Sequence, residues 1–312
     1  MASSLHLVFC GTPRFAVPAL KALVETGFVV RLVVTQPDRP RGRGMEVVFS
    51  PVKQSALELN LPVAQPEKIK HNEDFRAQLS ELKPDAIIVV GYGRLIPKWM
   101  LELPPLGNIN LHASLLPKYR GAAPVQWAIA CGESVTGVTT MRLNEGLDTG
   151  DILLQTEMPI ALEDTAETLA PRLAASGAEL LVETLKGLHA GSIHPQPQED
   201  KLATLAPILK KEDGKMDFHR TATEVYNRLR GFQPWPGAFT TFRGKNLGVR
   251  AAKPAHRAVA AGELVVDKDR LIVGCGDGTA LELVEVQPEG KKRIAAKDFI
   301  HGYRPLSGER LG

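Results

Sequence analysis

The sequence predicts an α/β protein in two parts, a mostly parallel sheet with helices on both faces followed by a small antiparallel β domain. Two patterns carry this prediction. The first part alternates strand-like runs of Val and Ile with helical patterns, which is typical of parallel strands buried on both faces. The second part has short strand patterns about 8 to 12 residues apart, which favour a small antiparallel barrel or sandwich.

The elements of the first part follow one another in regular alternation. Strands are predicted at 5–10, 28–35, 85–92 and 107–113, separated by helices at 15–26, 51–60, 72–83 and 123–131. Gly27 suits the position just after a helix, and Pro124 suits the first turn of the helix that it opens. Two more strands, at 136–143 and 151–160, complete the predicted sheet.

A long helix is predicted next, from about Asp164 to Leu188. Pro171 lies inside it. An interior proline removes a backbone donor and clashes with the preceding turn, at a cost of about 3 kcal/mol. We therefore expect a kink or a restart of the helix at that residue.

The polar, proline-marked stretch after this helix predicts a domain boundary. We expect a first domain at 1–190, a linker over the surface at 191–208 and a second domain at 209–312. The second domain is predicted to contain a helix at 221–232, and GCGDG at 274–278 is interpreted as a hairpin turn. Its strand candidates are AFTTFRG, NLGVRAAKP, GELVVD, RLIVGCG and ALELVEVQP.

Length and composition exclude several classes of protein. A chain of 312 residues is long enough for two ordinary domains, each with its own core. No apolar run approaches the roughly 18 residues of a membrane span, so no span is predicted. The start, MASSLHLVFCGTP, reads as a first strand and lacks the basic region of a secretion signal, so we expect a cytoplasmic protein.

Cysteine and histidine usage gives no sign of a metal or a disulfide framework. Cys10, Cys131 and Cys275 are far apart in sequence, and we expect buried structural thiols at all three. The eight histidines lack the spacing of metal ligands, so no metal is predicted. FCGTP lacks the G-x-G-x-x-G fingerprint, so no dinucleotide cofactor is predicted either.

Asn110 and His112 form the first candidate site. They stand two apart near the end of a predicted strand, so their side chains share a face, with backbones about 7 Å apart. Sites in open α/β sheets lie outside the carboxyl ends of the strands, and Asp148 follows the next strand. A histidine, a carboxylate and an amide donor can move protons and stabilise an oxyanion. A polar pair that only bonds to its neighbours remains the alternative.

No nucleophile motif accompanies these residues. The sequence has no G-x-S-x-G elbow and no reactive-cysteine motif, so covalent catalysis is not expected. The attacking group should therefore belong to the substrate.

Charge is unevenly distributed along the chain. Residues 1–208 carry 19 Lys and Arg against 22 Asp and Glu, whereas residues 209–312 carry 19 against 13. Such asymmetry suggests a polyanionic partner for the second part, although solubility alone can produce it.

Two groups of basic residues could contact phosphates. RPRGRG at 39–44 places Arg39, Arg41 and Arg43 among glycines in a long loop, for which a solvated mobile loop is the alternative. Basic residues of the second part could form one basic face, although each basic run in isolation is typical of a solvated turn. They are Lys210, Lys211, Lys215, Arg228, Arg230, Arg243, Lys245, Arg250, Lys291, Lys292 and Arg293.

Motifs along essentially the whole chain resemble those of the methionyl-tRNA formyltransferases. SLLP and LDTGD are shared with all 10-formyltetrahydrofolate transformylases, whereas the arginine loop and the second domain are similar to those of the tRNA enzymes. The matching segments are FCGTPRFAVPAL, TQPDRPRGRG, SPVK, INLHASLLPKYRGAAPVQ, GVTTMRLNEGLDTGDIL, APILKKEDGKMDF and FQPWPG.

The resemblance implies a Rossmann-like formyltransferase domain followed by an OB-like barrel that helps bind tRNA. It implies transfer of a formyl group from 10-formyltetrahydrofolate to the α-amino group of methionine on initiator tRNA, by a monomer. The catalytic residues of the family fall on Asn110, His112 and Asp148. Its folate-contacting residues fall on Ser114, Leu115, Leu116 and Pro117. The loop at about 36–50 would wedge into the end of the acceptor stem, and which arginine makes that contact is left open.

Three other functions fit parts of the sequence. A transformylase for a small amine, such as a sugar nucleotide or ribonucleotide, would keep the triad without needing a basic second domain. A non-enzymatic RNA-binding module would tolerate replacement of Asn110, His112 and Asp148. A formylfolate hydrolase would release formate without an acceptor.

Overall fold

The computed structural model describes residues 5–41 and 46–312, and the side chains of these residues except at positions 40, 41, 46 and 47. Arg43 and the side chain of Arg41, both expected in the basic loop, therefore lie outside the described part. The chain divides into two compact units. The first comprises Met1–Gly121, Val135–Pro159 and Ala170–Ala206, and the second comprises Ala122–Ser134, Ile160–Leu169 and Pro207–Gly312.

The predicted elements occur in the predicted order, together with several short elements that were not predicted. The helices are α1 (Val17–Glu25), α2 (Pro51–Glu58), α3 (Glu73–Leu82), α4 (Lys98–Leu101), α5 (Pro124–Ala130), α6 (Ala166–Ala190), α7 (Ala222–Gly231) and α8 (Ala296–Tyr303). Short 3₁₀ turns lie at Arg14–Ala16, Asp200–Leu202 and Lys211–Gly214.

The strands are mostly short. They are β1 (His6–Gly11), β2 (Val29–Val34), β3 (Arg39–Arg41), β4 (Glu46–Val48), β5 (Val63–Ala64), β6 (Ala86–Val90), β7 (Asn108–His112), β8 (Arg120–Gly121), β9 (Val135–Arg142), β10 (Ile152–Pro159), β11 (Leu205–Ala206), β12 (Ala238–Phe242), β13 (Lys245–Ala255), β14 (Leu264–Asp267), β15 (Arg270–Gly274), β16 (Ala280–Pro288) and β17 (Ile294–Ala295).

The first unit is built on a mostly parallel sheet. Within the described residues it has seven strands in the order β10-β9-β7-β6-β1-β2-β5. The five strands from β7 to β5 are parallel, whereas β9 runs antiparallel to both of its neighbours. The central strands β6 and β7 are buried along their whole length. The predicted mostly parallel sheet and its principal strands are therefore confirmed.

Helices cover this sheet, and the alternation of side chains along each strand assigns residues to its faces. Val8 and Cys10 of β1 pack in one apolar cluster with Phe75 and Leu79 of α3 and Met100 of α4.

The long helix α6 lies against β7. A β-carbon at Gly177 of α6 would come within 2.8 Å of the Leu111 side chain, so the helix lies close to that face of the strand. Asn110 and His112 flank Leu111 in sequence and therefore point to the face opposite α6. That face carries the candidate site.

Of the kink or restart expected in the long helix at Pro171, the restart is wrong, because α6 is continuous through this residue. Pro171 lies in the second turn, where its missing N–H removes one helical hydrogen bond. Leucines on both sides of it are buried and hold the helix against its neighbours. They are Leu169, Leu173, Leu181 and Leu185.

The second unit contains an antiparallel sheet with one core. Among the described residues its strands follow the order β12-β13-β16-β15-β14, and β17 pairs with β16. Val225 and Leu229 of α7 and Phe299 of α8 pack into the same core as the sheet. The five predicted strands, the helix near 221–232 and the hairpin turn between β15 and β16 are confirmed, whereas α8 was not predicted.

The segment 309–312 connects the two edges of this antiparallel sheet. Leu311 pairs with Phe242 at the end of β12, and Arg310 pairs with Glu263 beside β14. The Leu264 N–H also donates to the Glu309 carbonyl at 2.7 Å. The edges of the sheet are therefore bridged by a short backbone segment.

Residues 196–206 are attached to the first unit along much of their length. Gln196 and Ile152 exchange two backbone hydrogen bonds of 2.8 Å, and β11 pairs in parallel with β8. This corrects the expectation of a linker that only runs over the surface. A polar, proline-marked sequence predicts the absence of a regular core element, but it does not show where its backbone groups find partners.

The three cysteines do not share one environment. Cys10 and Cys275 are buried as expected, and burial raises the pKa of Cys10 and raises the pKa of Cys275 to about 11. Cys131 is exposed just after α5, which corrects the expectation of a third buried thiol. None of the described helices is both long enough and apolar enough to span a bilayer.

Candidate active site

Strand β7 presents Asn110 and His112 from the interior of the sheet. Both residues are buried, with exposed fractions of 8% and 6%. Asn110 pairs with Val89 of β6, and His112 pairs with Thr139 of β9. A strand with neighbours on both sides holds its side chains rigidly, which suits a site that must keep its geometry.

The imidazole of His112 is oriented by a backbone carbonyl. Its Nε2 lies 2.9 Å from the Tyr119 carbonyl oxygen. A carbonyl oxygen only accepts, so Nε2 carries a proton. The other nitrogen, Nδ1, lies 3.7 Å from the Oδ2 atom of Asp148. The structure therefore brings His112 and Asp148 together and leaves Nδ1 as the nitrogen that faces the carboxylate.

Asp148 reaches this position by a turn that folds back over the sheet. Because β9 is antiparallel to β7, its last residue, Arg142, pairs with Ile109 near the start of β7. The following turn must cross back to bring Asp148 beside His112. The sequence reasoning placed Asp148 near the same edge but did not include this reversal of direction.

Close contacts with neighbouring backbone groups fix the turn that carries Asp148. Asp148 has φ of +52°, and its Oδ2 accepts a hydrogen bond of 2.8 Å from the Gly121 N–H. A β-carbon at Gly150 would overlap the Arg142 carbonyl oxygen, so only glycine fits the return of the chain.

The amide of Asn110 has no hydrogen-bond partner among the described residues. An amide buried to this degree normally finds a partner in the protein, in water or in a ligand. Its position on the same face as His112 makes it an available donor beside the histidine and the carboxylate.

The turn 114–117 after β7 is fixed by hydrogen bonds to the Thr139 side chain. The Thr139 hydroxyl donates to the Ser114 carbonyl at 2.6 Å and accepts from the Leu116 N–H at 3.1 Å. Gln155 donates to the Leu116 carbonyl and to the Thr139 hydroxyl, each at 2.9 Å. Leu116 and Pro117 are joined by a cis peptide bond. These hydrogen bonds hold the turn in one conformation next to the site.

The sequence analysis missed the groups that hold the site together. They are the carbonyl of Tyr119, the N–H of Gly121, and the side chains of Thr139, Gln155 and Gln198. Backbone groups give no sequence signal, and Gln198 was part of the segment interpreted as a linker. Within the described residues, no three His, Cys, Asp or Glu side chains lie close enough together to hold a metal ion.

The predicted basic residues differ in their surroundings. Arg39, Lys210, Lys211 and Lys245 are exposed and form no ion pair among the described residues. The Arg243 guanidinium donates to the Glu309 carboxylate at 2.8 and 2.9 Å and also to the carbonyls of Tyr303 and Arg304.

One member of the proposed basic face is not on the surface. Arg230 is 5% exposed and donates to the carbonyls of Ala161 and Asp164. This corrects its inclusion in that face: its sequence position at the end of a helix gave no indication of burial.

Two protein-family models match most of the chain. The family model described as "Formyl transferase" matches residues 5–185, and that described as "Formyl transferase, C-terminal domain" matches residues 208–304. The solved N-formyltransferase from Helicobacter canadensis, in complex with folinic acid and dTDP-3-aminofucose, is similar with a TM-score of 0.68. The match covers 90% of this chain and 98% of that chain at 19% identity, which shows a shared fold. Since the first family model covers more than half of the chain, the protein is a member of the formyl transferase family.

Sequence relatives specify which kind of formyltransferase. The methionyl-tRNA formyltransferase of Koribacter versatilis is 68% identical over 98% of both chains. That of Acidobacterium capsulatum is 61% identical over 99% of this chain and 100% of its own. The chain belongs to the methionyl-tRNA formyltransferase family.

Proposed function

We propose that Asn110, His112 and Asp148 carry out the formyl transfer of this enzyme. The chain transfers the formyl group of 10-formyltetrahydrofolate to the α-amino group of methionine on initiator tRNA, which yields N-formylmethionyl-tRNA for translation initiation. The observation that carries the residue assignment is the approach of His112 Nδ1 to Asp148 at 3.7 Å.

The amide of Asn110 is proposed to stabilise the oxyanion. When the amine attacks the formyl carbon, the carbonyl electrons move to oxygen, and donors already in place stabilise that charge without reorganisation. Asn110 is buried and has no hydrogen-bond partner among the residues described, which supports this role. Burial also strengthens its interaction with a developing negative charge.

His112 is proposed to act through Nδ1, since Nε2 is already bonded to the Tyr119 carbonyl. In the protonated ring, Nδ1–H would be a second donor for the oxyanion. Asp148 would orient this side of the ring and help to move the proton of the attacking amine toward the departing folate nitrogen.

The turn Ser114–Pro117 is proposed to contact the folate. Its hydrogen bonds to Thr139 and Gln155 support this role, because a binding surface must keep its geometry. The residues that would line it are Ser114, Leu115, Leu116 and Pro117. The Ser114 hydroxyl itself donates to the Lys118 carbonyl at 2.7 Å, so its contribution would be to hold the turn.

Exposed cations are proposed to bind the tRNA phosphates. Arg39, Lys210, Lys211 and Lys245 fit this role, since their charges are not neutralised by partners among the described residues. Arg41 and Arg43 are proposed for the acceptor-end contact on the resemblance of the loop. Arg243 is the weakest member of the set, because its guanidinium already has acceptors within the chain.

The antiparallel sheet of the second unit is proposed to be the OB-like module of a tRNA-binding domain at 209–312. This domain would follow a catalytic domain at 1–190 and a connecting segment at 191–208, which pairs with the first unit over much of its length. The bridging of the two edge strands of the sheet by Arg310 and Leu311 supports closure into a small barrel. We further propose that the enzyme works as a cytoplasmic monomer.

One assay separates these proposals from the alternative functions. The protein is incubated with formyl-labelled 10-formyltetrahydrofolate and either charged initiator tRNA, charged elongator tRNA or no acceptor. We expect the label on methionyl initiator tRNA. Label released as formate without acceptor would indicate a hydrolase, and label on a small amine such as a sugar nucleotide would indicate another transformylase. The same assay with His112→Asn should show loss of transfer.

A further inference from the structure

The segment 196–206 contacts the supports of both catalytic side chains. The Gln198 side-chain nitrogen donates to the carbonyls of Asp148 and Gly150, at 2.8 and 2.7 Å. Six residues later, the Thr204 hydroxyl accepts a hydrogen bond of 2.9 Å from the Tyr119 N–H. One short segment therefore bonds both to the turn that carries Asp148 and to Tyr119, the residue whose carbonyl orients His112.

The orientation of the Gln198 amide is determined by Arg120. The Nε and Nη2 atoms of Arg120 donate to the Gln198 Oε1 at 3.0 and 2.8 Å, and Nη2 also reaches Asp200. An arginine has donors only, so the amide oxygen must face it and the NH₂ group must face the Asp148 turn. Because Arg120 is only 7% exposed, it is held to these acceptors.

Both donors of the Gln198 amide are used on the turn. The two carbonyls that accept them lie on either side of Thr149, so together they fix the path of the backbone through Asp148 and Gly150. Since Asp148 has φ of +52°, its backbone is in a conformation that needs support from its surroundings.

Thr204 provides the corresponding support for His112. Tyr119 has φ of +61°, and its N–H donates to the Thr204 hydroxyl while the next N–H, of Arg120, donates to the Thr204 carbonyl at 2.9 Å. These two bonds hold the peptides on both sides of Tyr119, and the second of these peptides carries the carbonyl that accepts from His112 Nε2.

We propose that Gln198 and Thr204 are positioning residues for catalysis, Gln198 for the Asp148 carboxylate and Thr204 for the His112 imidazole. The proposal rests on the roles proposed above for Asp148 and His112. The segment 196–206 then sets the distance and angle between the two catalytic groups. A displacement of about 1 Å in such a pair costs up to about 100-fold in rate.

The variant Gln198→Glu tests the first half of the proposal. Glutamate keeps an oxygen for Arg120 but faces the carbonyls of Asp148 and Gly150 with an acceptor, so the turn must move while the fold is retained. We expect kcat to fall by about 10- to 100-fold, with KM for methionyl initiator tRNA within about twofold. The matched control is Gln196→Glu, which adds the same charge two residues away on an exposed side chain and should keep parental kinetics.

The pair Thr204→Val and Thr204→Ser tests the second half. Valine has the shape of threonine without its acceptor, whereas serine keeps the hydroxyl. We expect Thr204→Val to lower kcat several-fold and Thr204→Ser to restore it. Nitrogen-15 NMR of His112 should show the Nε2–H form in the parent and in Thr204→Ser, and a mixture of ring forms in Thr204→Val.

Two outcomes would overturn the proposal. One is parental kcat in Gln198→Glu and Thr204→Val, and the other is a kcat loss no larger than the unfolded fraction measured by thermal melting. If Gln198→Glu does not fold, Gln198→Met, which adds no charge, is measured in its place, and parental kcat in that variant would overturn the proposal in the same way. Asp148→Asn is assayed alongside: parental activity there refutes the proposed function itself, whereas its loss together with an unaffected Gln198 variant refutes only the positioning role.

Discussion

The Nε2 atom of His112 donates to the carbonyl oxygen of Tyr119 at 2.9 Å, from a ring that is almost fully buried. This bond occupies one ring nitrogen and leaves Nδ1, 3.7 Å from Asp148 Oδ2, available for the catalytic role proposed above. A distance of 3.7 Å is longer than a hydrogen bond between these atoms. Catalytic hydrogen bonds are often long without substrate and shorten in the reacting complex, so this distance is compatible with the proposed role of the pair.

Replacement of Asn110 tests the oxyanion donor. We expect Asn110→Ala to lower kcat by about 100- to 1,000-fold, or roughly 3 kcal/mol, because one preorganised donor to the oxyanion is lost. Binding of initiator tRNA should change little, which filter binding can measure. Asn108→Ala is the control: among the described residues its amide nitrogen bonds to the carbonyls of Met100 and Leu101, so it should cost stability without a comparable loss of kcat in the folded protein. Normal turnover by Asn110→Ala would remove Asn110 from the mechanism.

A double-mutant cycle tests the pair His112 and Asp148. We expect His112→Asn and Asp148→Asn each to lower kcat by at least about 100-fold, and the double variant to be little worse than the more damaged single variant. Residues that act as one unit behave in this non-additive way, because the first substitution already removes the function of the second. Losses that multiply would show that the two side chains act independently.

The arginine loop gives a prediction about salt. We expect Arg43→Ala to weaken binding of initiator tRNA and to reduce the slope of log K against log salt by about 1, since each phosphate contact releases counterions. Discrimination between initiator and elongator tRNA should also decrease. Binding isotherms at several salt concentrations measure the slope. Lys68→Ala, an exposed lysine elsewhere in the first unit, should leave both quantities unchanged, and identical slopes for parent and Arg43→Ala would contradict the phosphate contact.

The sequence predicted the elements and the two residues of β7, because periodicity and strand alternation are local properties. Asn110 and His112 are two apart on one strand, so a shared face follows from geometry alone. Asp148 was harder, because its approach to His112 depends on the antiparallel direction of β9 and on a turn that folds back. Direction in a sheet is set by distant pairing and not by the local pattern.

The supports of the site could not be predicted, because they are contacts between residues far apart in sequence. The hydroxyl of Thr204 meets the N–H of Tyr119 across 85 positions, and the Gln198 amide meets Asp148 across 50. Their polar, proline-marked segment has the composition of a linker, and composition does not show where hydrogen bonds are made.

Thiol reactivity distinguishes the three cysteines. We expect one fast-reacting thiol with an aromatic disulfide reagent in the native protein, and three after unfolding, because only Cys131 is exposed. Burial raises the pKa of Cys10 and Cys275, so little thiolate forms there at neutral pH. Cys131→Ser should abolish the fast phase without loss of stability. A fast phase that persists in Cys131→Ser would mean that a buried thiol becomes accessible in the native state.

The ion pair of Asp38 and Lys53 gives a pH-dependent contribution to stability. Both side chains are largely buried, at 16% and 15% exposure, and Gln65 bonds to both. Burial alone raises the pKa of Asp38, but the hydrogen bonds from Lys53 and Gln65 and the charge of Lys53 outweigh it and lower that pKa. A carboxyl whose pKa is lowered by folding stabilises the folded state above its unfolded pKa of about 3.9, and this contribution is lost as the pH falls through the folded value. We expect Asp38→Asn to lower the free energy of unfolding by about 1 to 3 kcal/mol at pH 7.

The difference in unfolding free energy between Asp38→Asn and the parent should stay constant above about pH 5. It should shrink below about pH 4, where the parental carboxyl also becomes neutral. Urea denaturation at several pH values measures it, with Asp269→Asn in an exposed turn as the control for loss of one carboxylate. A difference that is the same at pH 3 and pH 7 would show that the charge of Asp38 does not contribute.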